Sequence, residues 1–343
     1  MTRRLRVAVL GTGRIGRRHA RTLAHHTPNA ELAVIADTLE TTAREMAAEL
    51  RVECWTTDTA NVFGDPDIDA VVIATSTDSH APLIIAAAES GKHVFCEKPI
   101  ALDLENTDRA IAAVEQAGVR LQVGFNRRFD KGYRRAKADL VAGRIGQVET
   151  IRDTMRDPAP PPRAYVAVSG GLFRDMTIHN FDCVRWLAGC EVLEVSAMAA
   201  CLVDPMFAEL GDVDTSIVTL RFENGALAVI DNSRRSGFGY DLRTEIFGSE
   251  GALFVGFHQD TPVTYMSGTG VTTDHVYFFL ERFEQAYIDE IRDFVDAIEM
   301  GREVSVTGED GRAALALAYA AETSLRENRP VELARFARGA AGV

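Results

Sequence analysis

The sequence of 343 residues predicts an α/β chain in two parts: a parallel-sheet domain over 1–126, then an α+β domain over 127–343 whose large open sheet is mostly antiparallel. Three observations carry that prediction. A short apolar β-run, Arg6 to Leu10, is followed at once by Gly11, Gly13 and Gly16 and then by a helical pattern. Further apolar runs at 70–76, 92–99 and 119–125 alternate with helical stretches, as strands covered on both faces do. From about residue 127 the runs lengthen and alternate with period two, broken by turns such as ENGA and GSEGA that mark antiparallel hairpins.

Each glycine of the first turn answers a steric demand. Gly11 allows the tight turn, Gly13 lets backbone approach a pyrophosphate, and Gly16 lets the helix press on the strand. With Arg14 and Ile15 between the last two, they form the turn of a Rossmann dinucleotide-binding domain, whose helix N-terminus offers N–H donors to phosphates. The next strand, ELAVIAD, ends at Asp37, about 20 residues beyond Gly16, where a carboxylate meets the adenosine ribose hydroxyls. A carboxylate there repels a 2′-phosphate, and the TLETTA that follows holds no arginine to neutralise one, so NAD is predicted over NADP. Ligands of such sheets bind beyond the carboxyl ends of the strands, and Thr75, Ser76, Thr77, His80, Glu97 and Lys98 fall there.

Composition narrows the partners. Fifty acidic against 37 basic residues give a formal charge of −13, which argues against nucleic acid or an anionic membrane and for a small molecule. The five cysteines form no C-x-x-C pair and leave an odd count, so neither a zinc cage nor a disulfide framework is expected. The apolar run after the twin arginines at the N-terminus is too short for an export signal, and no stretch approaches a membrane span. A cytoplasmic protein without a metal is expected.

The segment SGGLFRDMTIHNFDCVRWLAG, residues 169–189, reads as a helix with two faces. Phe173, Met176, Phe181, Val184 and Leu187 form the apolar one, and Asp175, His179 and Asp182 recur at i, i+4 and i+7 on another. An imidazole between carboxylates on a core-clamped helix is a rigid mount for proton transfer.

The glycine turn, the EKP that closes GKHVFCEKP, and GGLFRDMTIHNFD together resemble the Gfo/Idh/MocA oxidoreductase family, and within it the inositol 2-dehydrogenases. The resemblance runs over nearly the whole chain, to a closing helix at about 309–326 that is expected to pack back near the first domain. It implies that Lys98, Asp175 and His179 are catalytic, that Asp182 is a polar substrate-site residue, and that Arg127 of GFNRRFD lies near nicotinamide and substrate. It also implies a dimer or tetramer built through the second domain's sheet. One departure is Asn180, where several relatives carry Asp. Tyr240 is a further candidate for a polyol hydroxyl, beside its plainer reading as a strand-edge aromatic.

The activity so implied is NAD-dependent oxidation of a secondary hydroxyl of a cyclic polyol or sugar, with myo-inositol to 2-keto-myo-inositol (scyllo-inosose) as the specific expectation. Arg127 and Arg128 leave open a sugar acid bound bidentately. Other sugars and anhydrosugars, an NAD-recycling glycosidase and a non-catalytic NAD-dependent sensor are the remaining alternatives.

Overall fold

Parallel strands, the central ones buried on both faces, build the first part of the computed structural model, which describes residues 3–339. β1 (Leu5–Leu10), β2 (Ala30–Ala36), β3 (Cys54–Thr56), β4 (Ala70–Ile73), β5 (His93–Cys96) and β6 (Leu121–Val123) form one sheet in the order β3-β2-β1-β4-β5-β6. Every neighbouring pair is parallel. This is the doubly wound order, in which strand succession reverses between β1 and β4 and opens a ligand crevice at their carboxyl ends. Val7 to Leu10 and all of β4 are fully buried, which is why these runs carry no polar alternation.

The first unit is not the contiguous 1–126 of the sequence pattern. It runs on to Phe129 and takes in Gln285–Leu315 as well. The cause is the apolar face of the helix Glu284–Glu299: Ile291, Phe294, Val295 and Ala297 share one buried cluster with Val7, Val9, Ile35, Val72 and Phe95. Sequence order puts this helix after the second sheet, but its buried partners are in the first. The closing helix, Gly308–Glu327, is divided, with residues up to Leu315 in the first unit and those from Ala316 in the second. Gly311 explains its close approach: a Cβ there would lie 2.9 Å from the Ile100 side chain.

The second unit holds β7 (Val148–Arg156), β8 (Val192–Ala200), β9 (Thr215–Phe222), β10 (Leu227–Ser233), β11 (Asp241–Gly248) and β12 (Gly251–Val255). A hairpin of β13 (Thr264–Ser267) with β14 (Gly270–Thr273) and the short β15 (Val331–Glu332) complete its strands. Its seven-stranded sheet runs β12-β11-β7-β10-β9-β8-β15 and is antiparallel throughout except at β7–β10, which pair in parallel. Period two is plain on β9, where Ser216, Val218, Leu220 and Phe222 are buried and Ile217, Thr219 and Arg221 face out. The helix Ile178–Ala188 packs against β7, burying Phe181 and Val184.

One buried carboxyl stands out in the first unit. Glu290, on the helix Glu284–Glu299, is 0% exposed, and neither carboxyl oxygen has a hydrogen-bonding partner among the described residues. Burial, with the charge of Glu97 as a second cause, holds its pKa well above the usual carboxylate range. The folded protein therefore keeps a proton that the unfolded chain releases, and stability falls as pH rises from the ordinary carboxylate pKa toward the folded one. Glu290→Gln removes this linkage. Thermal melts of both proteins across mildly acidic to alkaline pH should show the difference moving in the variant's favour as pH rises; a pH-independent difference would refute the buried-acid assignment.

Candidate active site

The cofactor turn is built by close backbone contacts. Gly11 has φ +90°, and a Cβ on it would lie 2.6 Å from the Ala74 carbonyl oxygen at the end of β4. A Cβ on Gly16 would lie 2.0 Å from the Gly11 carbonyl oxygen, so only glycine lets the helix Arg14–His26 sit where it does. Gly13 has open space where its Cβ would be, and no side chain caps the helix start, which leaves the face toward a phosphate clear of side-chain atoms. Asp37 stands at the end of β2. Its Oδ2 accepts from the Thr12 amide (2.7 Å) and hydroxyl (2.6 Å), and its Oδ1 from the Leu39 amide (2.9 Å). Partial burial pushes its pKa up, but these donors outweigh it and hold the carboxyl below its ordinary value.

Thr75, Ser76 and Thr77 follow β4, with Ser76 preceding the helix Thr77–Glu89 in extended conformation. The Thr75 and Ser79 hydroxyls are 2.6 Å apart, and the Ser79 hydroxyl donates to the Ser76 carbonyl. His80 is buried, with Nδ1 2.8 Å from the Pro99 carbonyl and Nε2 3.2 Å from that of Thr75, and burial lowers its pKa. Its ring thus braces the loop rather than facing outward. Lys98, half-buried, follows β5 and Glu97, whose Oε1 is 2.7 Å from Nε2 of the buried His19. Arg127 and Arg128 lie in the turn Asn126–Phe129, both buried, and the Arg128 guanidinium pairs with Asp310 at 3.0 Å. That ion pair removes Arg128 as the second arm of a carboxylate clamp.

In the second unit, Asp175 and His179 do not occupy one uniform α-helix. Phe173–Thr177 is a π-helical turn that runs into the α-helix Ile178–Ala188, so the expected i, i+4 face is broken between them, while His179 and Asp182 keep α-helical spacing. Two left-handed glycines, Gly170 and Gly171, lead into the wide turn, and the Thr177 hydroxyl reaches back to the Leu172 carbonyl at 3.4 Å. Asp175 is buried. Its Oδ1 accepts from the Tyr165 hydroxyl and its Oδ2 from Arg234, both at 2.7 Å, while Arg234 also reaches Asp157 at 3.3 Å.

Burial and then the Asp175 charge push the Tyr165 pKa upward, so this hydroxyl stays a donor. Burial pulls the Arg234 pKa down, but the Asp175 and Asp157 charges outweigh it and raise it. His179 is half-buried, Asp182 is 1% exposed, and Tyr240 is buried against Phe279 and Phe283. Tyr165 and Arg234 escaped the sequence reading. The one available signal was an arginine closing a strand-like run, and nothing in sequence distance ties it to Asp175.

Behind this face lies a buried polar chain. The Asn180 amide donates to Asp153 (2.7 Å) and accepts from Asn232 (3.1 Å); the Thr244 hydroxyl donates to Asp153 (2.6 Å) and lies 2.7 Å from the Tyr133 hydroxyl. Asn180 supplies the amide donor that an aspartate, when ionised, would lack.

Comparison with known proteins places these features. Residues 5–125 match the oxidoreductase family with the NAD-binding Rossmann fold, and residues 133–254 match the GFO/IDH/MocA C-terminal domain. The chain is 46% identical over 96% of its length to a Myo-inositol 2-dehydrogenase of Thermotoga maritima, of which 98% is covered. It is 43% identical over 96% of its length to an Inositol 2-dehydrogenase of Rhizobium meliloti, of which 99% is covered. A crystal structure of scyllo-inositol dehydrogenase from Lactobacillus casei with bound NAD(H) and scyllo-inositol superposes with a TM-score of 0.90 at 32% identity, over 96% of this chain and 99% of that one. This chain belongs to the Gfo/Idh/MocA family of oxidoreductases, and residues 5–125 of its first unit are that family's NAD-binding Rossmann domain. No helix among the described residues is long and apolar enough to cross a membrane.

Two substitutions test the geometry. Asn180→Asp sets a second carboxyl against Asp153 and should cost about 2–3 kcal/mol near neutral pH. The loss should shrink toward acid pH, where a protonated Asp can donate as the amide does, and urea unfolding at two pH values measures it. Asp37→Ala should weaken NAD binding, free Thr12, and narrow the preference in kcat/KM for NAD over NADP; an unchanged preference would remove Asp37 as its source.

Proposed function

We propose that the chain oxidises a secondary hydroxyl of a cyclic polyol with NAD, converting myo-inositol to 2-keto-myo-inositol (scyllo-inosose). The observation that carries this reading is the near full-length, 46% identity to the Myo-inositol 2-dehydrogenase of Thermotoga maritima, with Lys98, Asp175 and His179 all present. The residue chemistry supports it. A neutral polyol needs many donors and acceptors rather than a charge clamp, and Arg128 and Arg234 are already paired with Asp310 and with Asp175 and Asp157. This favours a polyol over a sugar acid.

In this reading the turn from Gly11 through Arg14 and Ile15 to Gly16, together with Asp37 and the Thr75–Thr77 segment, holds the dinucleotide. NAD supplies the hydride acceptor when bound. His179 takes the hydroxyl proton, and Lys98 donates a hydrogen bond to the reacting oxygen and stabilises its growing negative charge. Asp175, oriented by Tyr165 and Arg234, accepts from a neighbouring hydroxyl of the ring. Asp182, one turn beyond His179, and Arg127 complete the polar lining. Tyr240 acts through its position rather than as a free phenol, given its burial among Phe279 and Phe283.

The assembly belongs to the same proposal. The outward face of the seven-stranded sheet exposes Met198, Ile217, Leu227, Val229, Phe247 and Phe254. An apolar face of this kind fits a homo-oligomer, dimer or tetramer, formed through the sheets. Five cysteines without a disulfide fit a cytoplasmic setting.

The test is NADH formation with a panel of inositols, pyranoses and anhydrosugars. myo-Inositol should give the highest kcat/KM, and absence of net NADH with every member would instead favour an NAD-recycling glycosidase or a sensor. Lys98→Met and His179→Ala should each lower kcat by about 10²- to 10⁴-fold, with NADH affinity nearly unchanged. A His179→Ala enzyme with near-normal kcat across pH would remove it as the base.

A further inference from the structure

Lys98 carries its charge on a flexible four-carbon stem, so its ammonium is placed only as well as the backbone that carries it. The residues on either side of Lys98 are both held by buried histidines that the chemistry above does not use. On one side, His19 is 0% exposed and its Nε2 lies 2.7 Å from Glu97 Oε1. The ring is fixed edge-on by Phe95 at 5.1 Å and Tyr287 at 6.0 Å. Gly124 leaves room beside the Glu97 carboxyl, since a Cβ there would lie 3.1 Å from it. Glu290 brings a carboxyl oxygen within 4.8 Å of a ring nitrogen of His19 and a carboxyl oxygen of Glu97, which gives Glu97 a protonated neighbour rather than a second anion. On the other side, His80 is 2% exposed, with Nδ1 2.8 Å from the Pro99 carbonyl and Nε2 3.2 Å from the Thr75 carbonyl.

We propose that His19 and His80 are positioning residues that clamp the Glu97–Pro99 turn from both sides of Lys98. The helices that bear them, Arg14–His26 and Thr77–Glu89, begin at the two turns assigned to the dinucleotide, so one pair of helices sets both the cofactor turns and the lysine. Both His80 ring nitrogens face carbonyl oxygens, and Nδ1 makes the closer contact, 2.8 Å against 3.2 Å, so the N–H of a neutral ring is placed there, donating to Pro99; at His19 the atom that faces Glu97 is Nε2. A histidine that merely fills space would tolerate any amide of similar size. A clamp requires its donor at one ring position at each site.

That asymmetry makes the test, which rests on the reading of Lys98 above. An asparagine amide reaches where Nδ1 sits and a glutamine amide where Nε2 sits. At position 80, His80→Asn should keep most of kcat and His80→Gln should lose it; at position 19, His19→Gln should keep it and His19→Asn should lose it. The losses should be about ten- to a hundredfold in kcat, the cost of a misplaced reacting group, with NADH affinity unchanged in the NAD-saturated enzyme. The primary deuterium isotope effect with polyol labelled at the reacting carbon should rise in the two impaired variants only. Four folded variants with wild-type kcat and isotope effect, or losses that do not follow the crossed pattern, would overturn the clamp. Lys98→Met is the control: if it retains full kcat, the assignment of Lys98 fails, whereas a dead Lys98→Met beside four active histidine variants removes the clamp alone.

Discussion

Three strand ends meet where the chain leaves β1, and the space there admits no side-chain carbon. The Gly11 amide donates to Ala36, Ala74 donates to Leu10, and the positions a Cβ would take at Gly11 and Gly16 are filled by the Ala74 and Gly11 carbonyl oxygens. Much of the first unit follows from that contact. It hands Thr12 to Asp37, presses the helix Arg14–His26 onto the sheet, and so carries His19 to Glu97 beside Lys98. An alanine at Gly16 would have to move the whole helix, because the opposing atom is backbone that cannot rotate away.

The second unit is organised by a different constraint, that charges removed from water must find partners. Asp175 has Tyr165 and Arg234, Arg234 shares itself with Asp157, and Asp153 draws on Asn180 and Thr244. These bonds do more than offset desolvation. They orient the wide turn at Phe173–Thr177 and tie the following helix to β7 and β10, so that Asp175 and His179 are mounted on backbone with little freedom to shift. Glu290 in the first unit resolves the same problem differently, by remaining protonated where no hydrogen-bonding partner among the described residues reaches its carboxyl.

Function in such a protein rests on ordinary packing at unusual places. The π-helical turn and the left-handed glycines before it sit at the carboxylate, and the buried histidines flank the lysine. The π turn and its glycines depart from regular structure while the histidines lie on regular α-helices, and all are held in place by surrounding contacts, which is where polar groups can be aimed rather than merely satisfied.

The sequence by itself determined what depends on local sterics and period: the strand–glycine–helix turn, Asp37 at the end of β2, the parallel runs of the first unit, and the alternation of β9. Those signals survive because each is written within a few neighbouring residues. The tertiary structure alone decided that the helix Glu284–Glu299 belongs to the first core, since an apolar face shows that it will be buried but not against what. It alone paired Arg128 with Asp310, Arg234 with Asp175 and Asn180 with Asp153, and it alone replaced the expected α-helical face with a π turn. Electrostatic partners are chosen by distance in space, and the bonds that widen a helical turn depend on what packs around it; neither quantity has a period that a linear sequence can display.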